Sequence, residues 1–245
     1  MDAVTIFLCE LAVFRRTIHK FMSSNLVSPL LYLTAFGWGM GKGIKMGGVD
    51  YLHFIIPGVI SLTAMGASFN GIATNLNVSR IYFKIYEEIQ IAPVHPLSVA
   101  LGYIFTGAFR GLLASFLVLV VSFFFGVSLN LNIWFFLALL LTCFMFSSLG
   151  VFAAMIIQTH EDLSNFSRFT IMPMTFLCGT FFSTDNLPKG VGTIIQFLPL
   201  THSSKLIRMS ILKGEHSLFS LSILIAYALI FFFLAIMAIR REGNE

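Results

Sequence analysis

Charge is what this sequence is shortest of: only 11% of its 245 residues are Asp, Glu, Lys or Arg. An ordinary soluble domain carries about a quarter. So little charge cannot cover a water-facing surface, which excludes a soluble globular fold and turns the outside of the molecule toward lipid. Cysteine is scarce as well. Cys9, Cys143 and Cys178 stand far apart, with no CxxC and no Cys/His ligand spacing, so buried free thiols are expected rather than a metal site. A cleavable leader is not expected, because Asp2 and Glu10 replace its basic region and no small-residue cleavage site follows. A nucleic-acid partner is not expected either: the formal net charge is only +4, and the basic residues flank apolar runs.

What the chain has in quantity is apolar side chains, 57% of its residues and 28 of them Phe. These fall into six runs, at about 26–41, 51–76, 97–125, 133–157, 166–182 and 218–239. Each can cross a hydrocarbon core of about 30 Å, some with tilt. Backbone groups in lipid must pair within their own segment, so the runs are expected as helices. The fold class is therefore all-α membrane protein, a single transmembrane domain over 1–245 with six transmembrane helices.

Residues 4–22 read differently. Phe7, Leu11, Phe14, Ile18 and Met22 make one apolar stripe, and Glu10, Arg15, Arg16, His19 and Lys20 fill the rest of the circumference. The pattern fits an interfacial helix with Arg15, Arg16 and Lys20 toward anionic lipid, or an amphipathic helix packed on protein. Basic residues also precede the first run and follow the last, at Arg240 and Arg241, so an even number of spans places both termini in the cytoplasm. The bias is then eight inside, with Arg80, Lys84 and Arg168 added, against six outside: Lys42, Lys45, Lys189, Lys205, Arg208 and Lys213.

Two segments between the runs do not span. The first is a short helix expected over residues 80–91, capped by Ser79 and ended by Pro93 and Pro96, with Ile81, Ile85 and Ile89 as an apolar ridge. Arg80, Tyr82, Lys84, Glu87 and Glu88 give it charge and an aromatic ring, which suits docking in a partner's groove or resting on lipid. The second lies within Gly179–Gly214. Phe181 and Phe182 are followed by Asn186 and Pro188, then by an apolar piece too short to span that Pro199 breaks. A helical hairpin over 186–213 at the outer face, re-entrant or interfacial, is expected, either as an exit gate or as a capping loop.

The order of these elements resembles the membrane subunit of a type-2 ATP-binding-cassette exporter, a family that includes drug-resistance, lipooligosaccharide and polysaccharide export permeases. The residues that carry the resemblance are Phe54-Ile55-Ile56-Pro57-Gly58, Glu88 with Ala92-Pro93-Val94-His95-Pro96-Leu97, Pro173, Gly179-Thr180-Phe181-Phe182 with Leu187-Pro188, and Leu198-Pro199-Leu200-Thr201. Leu198 and His202 depart from the family, which often has Asn and an aromatic there. The resemblance implies a permease without its own ATPase, moving a hydrophobic or amphipathic substrate across the inner membrane of a prokaryote. It further implies a partner ATPase subunit that carries ATP and Mg, a second copy of the chain as homodimer partner, and a coupling role for the helix at 80–91 with help from the interfacial helix.

Rival functions fit the residues less well. Gly37-Trp38-Gly39-Met40-Gly41-Lys42-Gly43 lacks the spacing and the Ser or Thr of a P-loop, so no nucleotide cofactor is expected on this chain. An ion-coupled secondary carrier needs ionisable groups at membrane depth, and Arg110 is the one candidate, read as snorkelling or meeting a helix-end carbonyl rather than touching substrate. A membrane-embedded enzyme needs converging groups. His160-Glu161-Asp162 is the densest cluster and reads as a solvated loop.

Overall fold

The structure, a computed structural model, describes residues 2–40, 45–46, 48–92, 94–127, 129–182, 189–214 and 217–242. The chain is built from helices: α1 (Asp2–Tyr32), continued by a π-helical stretch Leu33–Met40, then α2 (Tyr51–Ile81), α3 (Ile85–Ile91), α4 (Pro96–Phe124), α5 (Ile133–Ile156), α6 (His160–Leu177), α7 (Lys189–Gln196), α8 (Pro199–Lys213) and α9 (Leu218–Glu242). A two-residue antiparallel pair, Lys45–Met46 with Val49–Asp50, leads into α2. Among the described residues four helices are long and apolar enough to cross a membrane: α2, α4, α5 and α9. The first and fifth expected spans fall on α1 with its π-helical end and on α6, which carry too much polarity to qualify.

Helix starts follow local chemistry. Pro96 opens α4 behind His95, whose ring accepts from the Leu97 amide at 3.2 Å. Asn132 caps α5 through the Phe135 amide at 2.9 Å. His160-Glu161-Asp162 is the first turn of α6 rather than a loop. Thr159 accepts from the Asp162 amide at 3.0 Å while its hydroxyl donates to the Asp162 carboxylate, and the acids suit the positive end of the helix.

Two expectations are corrected. The interfacial helix at 4–22 and the first span are one continuous helix, because Ser23 and Asn25 bond back to the carbonyls of His19 and Phe21 instead of breaking the chain. The stripe faces protein at Phe7 and Phe14 but leaves Met22 exposed, Ile6 beside it packs on Gly102, and Arg15 and Arg16 are outside. The short helix at 80–91 is also divided. Ser79, Arg80 and Ile81 complete α2, and α3 begins only after Lys84, which stands at φ 55° in the left-handed region.

α2 and α5 form the centre, with α4 and α9 against them. Phe69, Phe135 and Phe146 fill the inside without any exposure. Small residues bring the helices close: a Cβ on Gly111 would stand 3.1 Å from the Ala64 carbonyl, and one on Gly150 would stand 2.9 Å from the Phe69 carbonyl. The end at which α2 finishes and α4 begins is called lower here. α1 rises from that end, with Ile6 against Gly102, to the upper end, where Tyr32 and Phe36 meet Phe181. α6 climbs the same way. It starts just after α5 ends below and finishes where Thr180 meets Gly58, near the start of α2.

Candidate functional site

Three places concentrate the polar chemistry of this apolar bundle. At the lower end, α3 is anchored by Tyr86 with Ile89. Tyr86 is 3% exposed, set among Leu76, Val99 and Tyr103, and Ile89 packs beside it. The other residues face outward: Phe83 is 67% and Ile91 85% exposed, with Tyr82, Lys84, Ile85 and Glu88 also exposed. The Glu87 side chain lies outside the described set, as does Pro93. Arg80 does not join that surface. Its Nη1 donates to the carbonyls of Ala154, at 2.8 Å, and Met155, and its Nε meets the Glu242 carboxylate at 2.9 Å. Asn77 donates to the Ile157 carbonyl at 3.0 Å. The end of α2 is thereby tied to the last carbonyls of α5 and the last turn of α9, which otherwise have no partners inside their own helices.

Between α1, α2 and α6 lies a cleft of about 690 Å³. Thr17, Lys20, Ser24, Asn25 and Ser28 line it from α1, Thr63, Asn70, Thr74 and Asn75 from α2, and Thr175 from α6, with Phe14, Phe21 and Tyr32 as its aromatic part. Arg110 reaches it from α4. This arginine neither snorkels nor meets a helix end: it is 5% exposed and donates to the Gly71 carbonyl in mid-α2. Its guanidinium lies 4.9 Å from the Phe14 ring centre, and its Nη2 is 3.7 Å from the Glu10 carboxylate.

At the upper end, α8 is a buried helix, not a surface one. Leu200, Ser203, Leu206, Ile207 and Ser210 are enclosed, and Lys205 is exposed. Arg208 turns inward. Its Nη2 donates to the Gly179 carbonyl at 2.9 Å, and the guanidinium sits 3.8 Å over the Phe54 ring. Gly179 adopts φ 68° to turn the chain out of α6. Next to it, a Cβ on Gly58 would stand 3.0 Å from Thr180 Cα, so α2 and the turn touch only because that residue is glycine. Phe181 accepts from the Tyr51 hydroxyl at 2.9 Å, Phe182 is half-buried, and Pro199 opens α8 in a buried position. Asn186 and Pro188 lie outside the described residues.

A family model described as ABC-2 type transporter matches residues 5–212. The chain belongs to that family. It is 33% identical over 187 residues to the inner membrane transport permease YadH of Escherichia coli (strain K12), covering 72% of each chain. It is 30% identical over 225 residues to nodulation protein J of Rhizobium meliloti (strain 1021), covering 89% of this chain and 85% of the relative. Nodulation protein J of Bradyrhizobium diazoefficiens is 27% identical over 228 residues.

In this ABC-2 transporter the residues singled out in the sequence divide three ways. Tyr82, Lys84, Ile85 and Glu88 share the lower surface; Ile81 is half-buried in the last turn of α2, and Arg80 is a clasp. Gly179, Phe181 and Pro199 gather at the upper end. Glu10, Tyr86 and the inward Arg208 went unread. Glu10 could have been flagged as the one acid beside the apolar stripe of α1, but nothing in the sequence pairs it with a residue 100 positions away.

Proposed function

We propose that this chain is the permease subunit of an inner-membrane exporter driven by a separate ATP-binding-cassette ATPase. The observation that carries the proposal is α3. It is a short helix slung between two membrane-crossing helices, anchored by Tyr86, and with the turn before it exposes Tyr82, Phe83, Ile85 and Ile91 to its surroundings. An exposed aromatic ridge at the end of a bundle, with Glu88 beside it, fits a protein groove better than water. ATP and Mg belong to the partner in this scheme, and this chain contributes no catalysis of its own.

Six crossings are proposed, α1 with its π-helical end and α6 joining the four apolar helices. In support, α6 has 18 residues, about 27 Å at 1.5 Å per residue, and climbs the bundle from one end to the other. Both termini then share the cytoplasmic side. The Arg80–Glu242 contact and the packing of Ile6 on Gly102 support that, each bringing one terminus to the α3 end. The names of the relatives and the positive flanks favour an inner membrane. The cleft is lined by α1, α2, α4 and α6, and a second copy of the chain is proposed to complete it as the pathway for a hydrophobic or amphipathic substrate. Closure of the ATPase pair would move α3 and, through the Arg80 clasp, α5 and α9 together.

Capture of the tagged full chain from its native membranes tests the centre of this proposal. An ATP-binding-cassette ATPase is expected to come with it; purification with no such subunit sinks the proposal.

A further inference from the structure

Arg110 sits in the apolar bundle with its hydrogen-bonding capacity largely unspent. A guanidinium has five N–H donors. Here one clear bond goes to the Gly71 carbonyl, the Nε is buried with no partner, and Glu10 at 3.7 Å is close enough to balance charge but too far to bond. An ionised group at membrane depth is costly and is usually better satisfied than this. The cleft it lines adds Lys20, and none of its lining residues is acidic. With Glu10 beside Arg110, the two cations face one acid, an excess of positive charge in a cavity that also offers neutral hydroxyls, carboxamides and aromatic rings.

We infer that Arg110 is a binding residue for the anionic head of an amphiphile, with Glu10 as the counter-ion that the head displaces. The planar fork matches the paired oxygens of a phosphate or carboxylate, which a neutral head lacks. Phe14, Phe21, Tyr32 and Ile171 supply the apolar wall that a hydrocarbon tail needs. A cavity of about 690 Å³ holds a head with the first part of its tail. Glu10 has a definite place in the scheme. It keeps the cation neutralised while the cleft is empty, and because two anions on one guanidinium repel, it competes with the incoming head. The inference rests on the cleft being the transport pathway proposed above.

Binding of radiolabelled dodecyl phosphate to the full chain in dodecyl maltoside micelles tests it. Saturable binding is expected, weakened at least ~10-fold in Arg110→Gln and partly retained in Arg110→Lys. Glu10→Gln should bind several-fold more tightly, the opposite of what loss of a structural ion pair gives. That variant keeps the Arg110–Gly71 bond, so the test survives if Arg110→Gln does not fold. Dodecyltrimethylammonium should not compete. Competition by phosphatidylglycerol would identify the ligand as a membrane phospholipid, and its failure to compete would identify a cargo; both keep the anionic class. Unchanged binding in Arg110→Gln, weaker binding in Glu10→Gln or competition by the cation overturns the inference. If an ATPase is captured but no anion binds, the exporter proposal stands and this one falls.

Discussion

Arg80, Arg110 and Arg208 share one habit: each donates to backbone carbonyls of another segment. In an apolar bundle that is where a guanidinium finds acceptors, because carbonyls at helix ends and beside small residues are present whatever the sequence. The sequence shows where these cations stand along the chain but not what they meet: Arg80 was expected on a partner surface, Arg208 in solvent and Arg110 snorkelling or at a helix end, and each turns inward instead. His202 shows the same principle with a titratable group. Its Nε2 lies 2.9 Å from the Gln196 carbonyl, so the neutral ring donates there, and its Nδ1 is buried without a partner. Burial holds this histidine below its ordinary value of 6.5, with nearby Lys205 acting in the same direction and the Gln196 bond opposing both. The sign follows. The unfolded chain takes up a proton at a higher pH than the folded one, so stability is complete above about pH 6.5 and falls as the pH drops toward the folded value. The melting temperature of the wild type in detergent should fall between pH 7.5 and pH 5 relative to that of His202→Phe, which has no proton to take up. Parallel losses in the two proteins would remove His202 as the cause.

At the scale of elements, long apolar runs were the legible part. α4, α5 and α9 begin within one residue of the expected positions, since their ends are set by Pro96, Asn132 and a charge-free run before Arg240. The amphipathic pieces were less legible. The expected segments 4–22 and 26–41 leave residues 23–25 between them, yet Ser23 and Asn25 bond back within one helix, and a period-four ridge at Ile81, Ile85 and Ile89 did not reveal the left-handed residue at Lys84. That division has a consequence for coupling. The end of α2 is clasped by Arg80, so α3 is the piece that presents an outer face, and Glu88 is exposed on that face. Glu88→Lys is expected to leave membrane insertion and melting temperature unchanged, because the side chain is exposed. It should reduce coupling of the partner's ATPase activity to transport by an order of magnitude or so, the range for a charge reversed at an interface. ATPase activity and coupling equal to the wild type would move the contact off α3.

For the whole molecule the open quantity is the number of crossings, and parity alone does not fix it. The four strongly apolar helices and the proposed six both leave the termini on one side. They differ in where α7 lies. With α6 crossing, α7 and α8 are external; without it, they stay on the side of α3. The packing favours the crossing, because α8 bonds Asn132 at the start of α5 through the Ser210 carbonyl, and Arg208 reaches Phe54 near the start of α2. Both of those helix starts lie opposite α3. α6 pays no prohibitive penalty for its polarity if Thr175 and Ser167 face the cleft side of the bundle, where Ser167 donates to Asn70 at 3.3 Å. A cysteine at Lys189, the first residue of α7, decides between the two. Cys143 and Cys178 are buried and can remain, whereas the exposed Cys9 must first become Ser. A membrane-impermeant maleimide added to intact cells, with the outer membrane made permeable, is expected to modify Lys189→Cys. Modification only after the inner membrane is breached would bring α7 to the α3 side, remove the fifth crossing, and leave the cleft facing one compartment instead of leading between two.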